Sequence, residues 1–182
     1  MKELSLNILD ITENSVKAKA TLVEILLTET DDSLTIAIKD NGTGMTDEVL
    51  ERVSNPFYTT RTTRKVGMGI PLFKFAAEQT GGRLDIESRH CERYPDSHGT
   101  TVSAVFCKTH IDFTPLGDVI STVTTLIQGH PDVDFVFEHK TVRGTVILDT
   151  RELREVLDGV PLDTFEVLLW IKENLEEQYN SI

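Results

Sequence analysis

The sequence predicts an α+β fold: a mainly antiparallel sheet covered by helices, with a smaller α+β extension at the C-terminal end. Three observations carry this. Apolar residues recur at helical spacing over residues 2–19, alternating β-rich runs come in pairs, and the helix-and-strand pattern restarts after Lys108. The chain is therefore divided into residues 1–108 and 109–182, the latter expected as a separate piece.

In the first helix Leu4, Ile8, Ile11 and Ala18 share one stripe, while Asn7, Asp10, Asn14 and Lys17 share another. Leu22 to Thr28 and Leu34 to Ile38 flank the polar Thr30-Asp31-Asp32-Ser33 and read as a hairpin. Asp40 to Met45 is a glycine-bearing loop, followed by a short helix from about Asp47 to Val53. The polar stretch Ser54 to Lys65 has few apolar anchors and reads as a mobile loop. Ile70 to Thr80 reads as a helix stopped by Gly81-Gly82, with strands at Leu84 to Ser88 and Thr101 to Phe106. The extension shows a helix near Leu116 to Gln128, strands near Asp134 to Glu138 and Thr145 to Leu148, and helices from Arg151 and from Asp163 to Tyr179. On the last helix Phe165, Leu168, Leu169, Trp170, Ile171 and Leu175 are expected mainly to pack inward.

A length of 182 residues suits one buried core with an appendage, at about 150 residues per domain. The net charge of -12 speaks against a nucleic-acid backbone binder, which needs clustered Lys and Arg. No apolar run approaches the roughly 18 residues of a membrane span, and no charged-apolar leader opens the chain, so a cytoplasmic protein without membrane contact is expected. Cys91 and Cys107 have no partners at metal-ligand spacing and read as reduced thiols. The five histidines fall in polar or loop contexts, read as surface residues, and none is assigned to catalysis.

Asp10 and Asn14 are one helical turn apart on one face, where a carboxylate and an amide oxygen suit magnesium or a water to be activated. A solvated helix face carries the same pair. Asp40-Asn41-Gly42-Thr43-Gly44-Met45 follows a strand, so its carboxylate could accept from an exocyclic amine while the glycines let a flat ligand approach; a plain turn has the same letters. Val66-Gly67-Met68-Gly69 opens a helix whose amide end favours phosphate, with Arg61, Arg64 and Lys65 just before it. Thr100 starts a strand and could bond a base or serve only as a strand former.

Taken in order, these blocks resemble the N, G1, G2 and G3 boxes of the GHKL, or histidine kinase-like, ATPases over roughly residues 2–107. Leu9 to Lys17 is similar to the N box, which implies that Asp10 orients water, Asn14 binds magnesium and Lys17 lies near phosphate. Asp40 to Met45 is similar to the G1 box, implying that Asp40 reads the adenine amine beside Gly42, Gly44 and Met45. Asn55 to Arg61 resembles the opening of an ATP lid, and Gly67-Met68-Gly69 resembles the G2 box. The resemblance thus makes Thr60, Arg61, Arg64, Lys65, Val66, Gly67, Met68, Gly69 and Thr100 ATP-binding candidates. It implies the Bergerat ATP-binding fold, a two-layer α/β sandwich with a mixed, mainly antiparallel sheet, and the cofactors ATP and Mg2+. Lys65 stands where sensor kinases usually have a first glycine, and the lid between Phe57 and Gly67 is short; both traits resemble anti-sigma-factor serine kinases. The N-box helix begins at residue 2 with no phosphoacceptor hairpin before it, so histidine autophosphorylation in cis is not expected.

Two functions follow. One is a stand-alone, magnesium-dependent ATPase or kinase that hydrolyses ATP or phosphorylates a protein Ser or Thr. The alternative is an ATP-sensing module that switches a partner with negligible turnover. A protein partner or substrate is implied by both, a homodimer is open, and the role of residues 109–182 has no motif to define it.

Overall fold

Alternation in Leu22–Glu29 and Ser33–Asp40 buries Val23, Ile25 and Leu27 on the first strand and Leu34, Ile36 and Ile38 on the second, leaving the intervening residues on the opposite face. That period-two pattern makes them β1 and β2, an antiparallel pair in register from Val23 opposite Asp40 to Glu29 opposite Leu34. The computed structural model describes residues 3–54 and 69–182. The element order is α1 (Ser5–Lys17), β1, β2, α2 (Asp47–Ser54), α3 (Gly69–Gln79), β3 (Arg83–Arg89), β4 (Gly99–Cys107), α4 (Val119–Gly129), β5 (Asp134–Lys140), β6 (Thr145–Asp149), α5 (Thr150–Leu157) and α6 (Phe165–Asn180). The expected loop beyond Ser54, with Thr60 to Met68, lies outside the described residues.

The six strands form one mixed sheet in the order β3-β4-β2-β1-β5-β6. Every pairing is antiparallel except β1 with β5, which is parallel. Helices touch in the sequence α3–α1–α4–α6, following the strands they cover, so helix layer and sheet meet across one apolar core. Phe73, Phe106, Phe135 and Phe137 are its largest wholly buried side chains.

Residues after Lys108, expected as a separate piece, instead continue this sheet. The physical reason is the edge of β1: without β5 its backbone groups and the half-buried Leu22 and Leu26 would face solvent. The same segment supplies the N-terminal end of α1, where no side chain caps the helix. There the Leu4 and Ser5 amides donate to the Pro115 and Leu116 carbonyls at 2.9 and 2.8 Å. Helix α4 starts at Val119 rather than near Leu116 because Asp118 is its cap, accepting from the Ser121 amide (2.9 Å) and hydroxyl (2.6 Å).

On α6 the inward packing is partial. Leu168, Ile171 and Leu175 are buried, whereas Phe165, Leu169 and Trp170 are exposed. Gln178 closes the outer edge of β6, its amide accepting from Ile147 N–H (2.9 Å) and donating to Ile147 C=O (3.0 Å) as a neighbouring strand would. Both cysteines are free thiols. Among the described residues no helix is long and apolar enough to cross a membrane.

Candidate nucleotide site

A cavity of about 290 Å³ opens where α1 ends and β2 gives way to its following loop. That volume is at the small end of the roughly 300–1,000 Å³ usual for ligand sites. Its floor is apolar, with Ile11, Val53, Ile70 and Val102, and its polar lining includes Asn14, Ser15, Lys17, Asp40 and Thr100.

Asp40 ends β2 with its carboxylate held by three donors. Oδ1 accepts from the Gly42 amide (2.8 Å) and the Thr100 amide (3.3 Å), and Oδ2 accepts from the Ser15 hydroxyl at 2.7 Å. The loop that follows is fastened on every side. Asn41 accepts from the Thr21 and Leu22 amides, Thr43 donates to the Ala18 carbonyl, Cys91 donates to the Thr43 carbonyl, and Met45 donates to Ser88 Oγ. The ring nitrogen Nδ1 of His98 donates to the Gly42 carbonyl at 2.5 Å. Gly44 has φ +70°, and a Cβ there would stand 2.0 Å from the Arg89 carbonyl oxygen, so only glycine fits this turn.

On the other wall, the start of α3 presses against the Asp10 and Asn14 face of α1. A Cβ on Gly69 would lie 3.1 Å from Asp10 Cβ and 3.9 Å from Asn14 Nδ2, so glycine lets the helix end approach closely. The first-turn amides of α3 therefore stand next to Asn14, and Pro71, which has no N–H, falls in that first turn where none is needed. Asp10 is exposed, Asn14 half-buried and Lys17 exposed.

The structure thus gathers Asn14, Lys17, Asp40, Gly44, Met45 and Thr100 around one cavity, with Asp10, Gly42 and Gly69 at its margins. Thr60, Arg61, Arg64, Lys65, Val66, Gly67 and Met68 lie outside the described residues. Sequence reasoning missed Ser15, Ser88 and His98; helical or strand serines give no pattern, and only the fold brings His98 to the loop.

Residues 2–110 match the family described as "Histidine kinase-, DNA gyrase B-, and HSP90-like ATPase". The chain belongs to this family. Sporulation kinase C of Bacillus subtilis (strain 168) is 32% identical over 90 residues, which is 48% of this chain and 20% of that protein. A putative sensor histidine kinase NtrY-like from Rickettsia conorii is 26% identical over 93 residues, 50% of this chain and 15% of that protein. The chain thus spans a fifth or less of the length of these relatives. The Aquifex aeolicus MutL ATPase domain complexed with ADP shares the fold at a TM-score of 0.56 and 17% identity, over 87% of this chain and 70% of that one. Membership in this ATPase family supports ATP as the ligand of the cavity.

Histidine placement departs from expectation in the extension. His139 is 3% exposed and lies at the far end of the sheet. Its Nδ1 accepts from the Tyr179 hydroxyl (2.8 Å) and its Nε2 donates to Glu29 (3.1 Å), which also pairs with Lys108 at 2.6 Å. Burial pushes the His139 pKa down, only partly offset by Glu29, which favours the neutral ring as the bridge from phenol to carboxylate. Burial raises the Tyr179 phenol, and the nearby Glu29 charge adds to it. For Glu29 burial acts upward, but Lys108 and His139 outweigh it and the net shift is downward.

Proposed function

We propose that the chain binds ATP with magnesium and turns it over, by hydrolysis or by transfer of the γ-phosphoryl group to a Ser or Thr of a partner protein in the cytoplasm. The observation that carries this reading is the Asp40 carboxylate, fixed by three donors at the wall of an apolar-floored cavity, with a helix start and Asn14 across from it. Asp40 accepts the adenine amine, the apolar floor takes the face of the base, and the α3 amides with Lys17 face the phosphates.

The oxygen chemistry fits magnesium. Asn14 offers a neutral amide oxygen, and Asp10 one turn away offers a carboxylate; magnesium takes few protein ligands and keeps waters and phosphate oxygens. When bound, the cation would neutralise charge developing on the phosphates. Asp10 orients the nucleophile, a water or a substrate hydroxyl, whose oxygen bonds to the γ-phosphorus as the bond to the β,γ-bridging oxygen breaks and ADP leaves. The lid cations Arg61, Arg64 and Lys65 stabilise the transferring group. The short lid's likeness to anti-sigma-factor kinases, with a carboxylate in reach, favours hydroxyl over histidine acceptors.

The test is calorimetric titration with ATP and magnesium, then phosphate release over several hours, for wild type and Asp10→Asn. Retained binding with release lost in the variant is the expected result; equal release in both would remove Asp10 from its role.

A second reading, an ATP-sensing module with negligible turnover, is favoured by one observation. Helix α4 of the extension packs on α1, and His130 at its end bonds Glu13, the neighbour of Asn14, at 2.7 Å. Occupancy at Asn14 has a direct contact route to residues 109–182. Binding without phosphate release, alone or with candidate substrates, would favour it.

A further inference from the structure

Helix α6 satisfies its packing on one side and still presents apolar side chains on the other. Val167, Leu168, Ile171 and Leu175 are buried, on a helix that packs on α4 and β6. Phe165 (73% exposed), Leu169 (43%) and Trp170 (49%) instead face outward together, one turn apart in the first half of the helix. Three large apolar side chains grouped in water add nothing to the core, and such a cluster marks a surface that another molecule covers.

The second half of the same face is acidic. Leu169 leads at four- and three-residue steps to Glu173 and Glu176, and Trp170 at three- and four-residue steps to Glu173 and Glu177; all three glutamates are exposed. Lys172, 3.9 Å from Glu176, is the helix's one cation, and the last turn has no basic residue. The helix dipole favours cations at a C-terminal end, so Glu176 and Glu177 work against the stability of α6. The imbalance extends to the whole segment: residues 109–182 hold fourteen Asp and Glu against five Lys and Arg, whereas residues 1–108 hold sixteen against thirteen.

We propose that the outer face of α6 is a docking surface for a cationic amphipathic helix of a partner protein. The partner's apolar stripe covers Phe165, Leu169 and Trp170, and its Lys or Arg side chains lie over Glu173, Glu176 and Glu177, where they also relieve the opposition to the helix dipole. A second copy of this chain would bring an equally acidic segment against this one, and like charges brought together oppose association. An anionic lipid surface is repelled for the same reason. None of the cavity-lining residues lies on α6, so the proposal stands whether or not the chain turns ATP over.

Trp170 is the chain's single tryptophan, so its fluorescence reports on this surface alone. The full chain is titrated with a synthetic amphipathic peptide, the repeat Leu-Lys-Lys-Leu-Leu-Lys-Leu in tandem. A saturable blue shift is expected at low salt, with affinity falling about tenfold at high salt. Phe165→Ala combined with Leu169→Ala weakens binding by about tenfold or more. Glu173→Lys combined with Glu177→Lys weakens it by about tenfold and removes most of the salt dependence. Asp85→Lys combined with Glu87→Lys, on β3 at the opposite edge of the sheet, leaves it unchanged. All of these side chains are exposed, so each variant is expected to melt as wild type does. No shift in wild type, or an equal loss in the β3 variant, which would mean attraction to net charge alone, overturns the proposal. So does an equal shift with phosphatidylglycerol vesicles, which would make the surface lipid-facing, or a wild-type dimer on sedimentation that Phe165→Asp splits, which would assign it to a second copy.

Discussion

The two ends of the β1–β2 pair place carboxylates in opposite circumstances. At one end Asp40 is held by Ser15 and two backbone amides yet borders an open cavity with acceptor capacity to spare. At the other, Glu29 is closed among Lys108 and His139, with Tyr179 completing the chain of contacts. Polar groups satisfied by one another hold a structure together, whereas groups pre-set by neighbours but facing a void are arranged for something to arrive.

The largest test asks whether the two ends belong to one cooperative unit. Phe137 is wholly buried on β5, opposite Ile25 across the parallel pairing. Phe137→Ala is expected to cost about 3–5 kcal/mol and to lower one shared thermal transition followed by circular dichroism. Two separated transitions, with nucleotide still protecting the first, would break the picture of a single core. At the cavity end, Asp40→Ala should weaken ATP binding by about a hundredfold on calorimetry, and Asn14→Ala should abolish the magnesium-dependent part, with melting nearly unchanged in the Asn14 variant.

The closed end predicts a pH dependence with a definite sign. The folded His139 holds its proton less tightly than the unfolded one, so below the ordinary histidine value of 6.5 the unfolded chain binds more protons. Stability is therefore full above that pH and falls as the solution is acidified. Glu29 acts in the same direction but lower, its contribution lost below about 4.5 as pH drops through the folded value. His139→Gln should cost about 1–2 kcal/mol at pH 7.5 and flatten denaturant midpoints between pH 7 and 5. An unchanged slope would assign the acid sensitivity elsewhere. The smallest expected effect is Gln178→Ala, about 1 kcal/mol in urea, because it frees the Ile147 backbone groups to water.

Much of this was legible in residue pattern alone. The stripe of Leu4, Ile8 and Ile11 announced α1, alternation announced the hairpin, and Asp40-Asn41-Gly42 announced a loop whose glycines have no substitutes. The partner of β5 was not legible. Alternating Phe135, Phe137 and His139 says that one face is buried, but hydrogen-bonded edges carry no side-chain signal, and a parallel neighbour so far back in the chain leaves none. For the same reason Ser15 looked like an ordinary helical serine; its meaning lies in Asp40, which only the fold brings within 2.7 Å.

The carbonyls of Pro115 and Leu116 that receive the first amides of α1 bear on where the chain can be cut. A piece ending at Lys108 would lose both those carbonyls and the strand that covers β1, leaving a frayed helix start and an open sheet edge beside the nucleotide cavity.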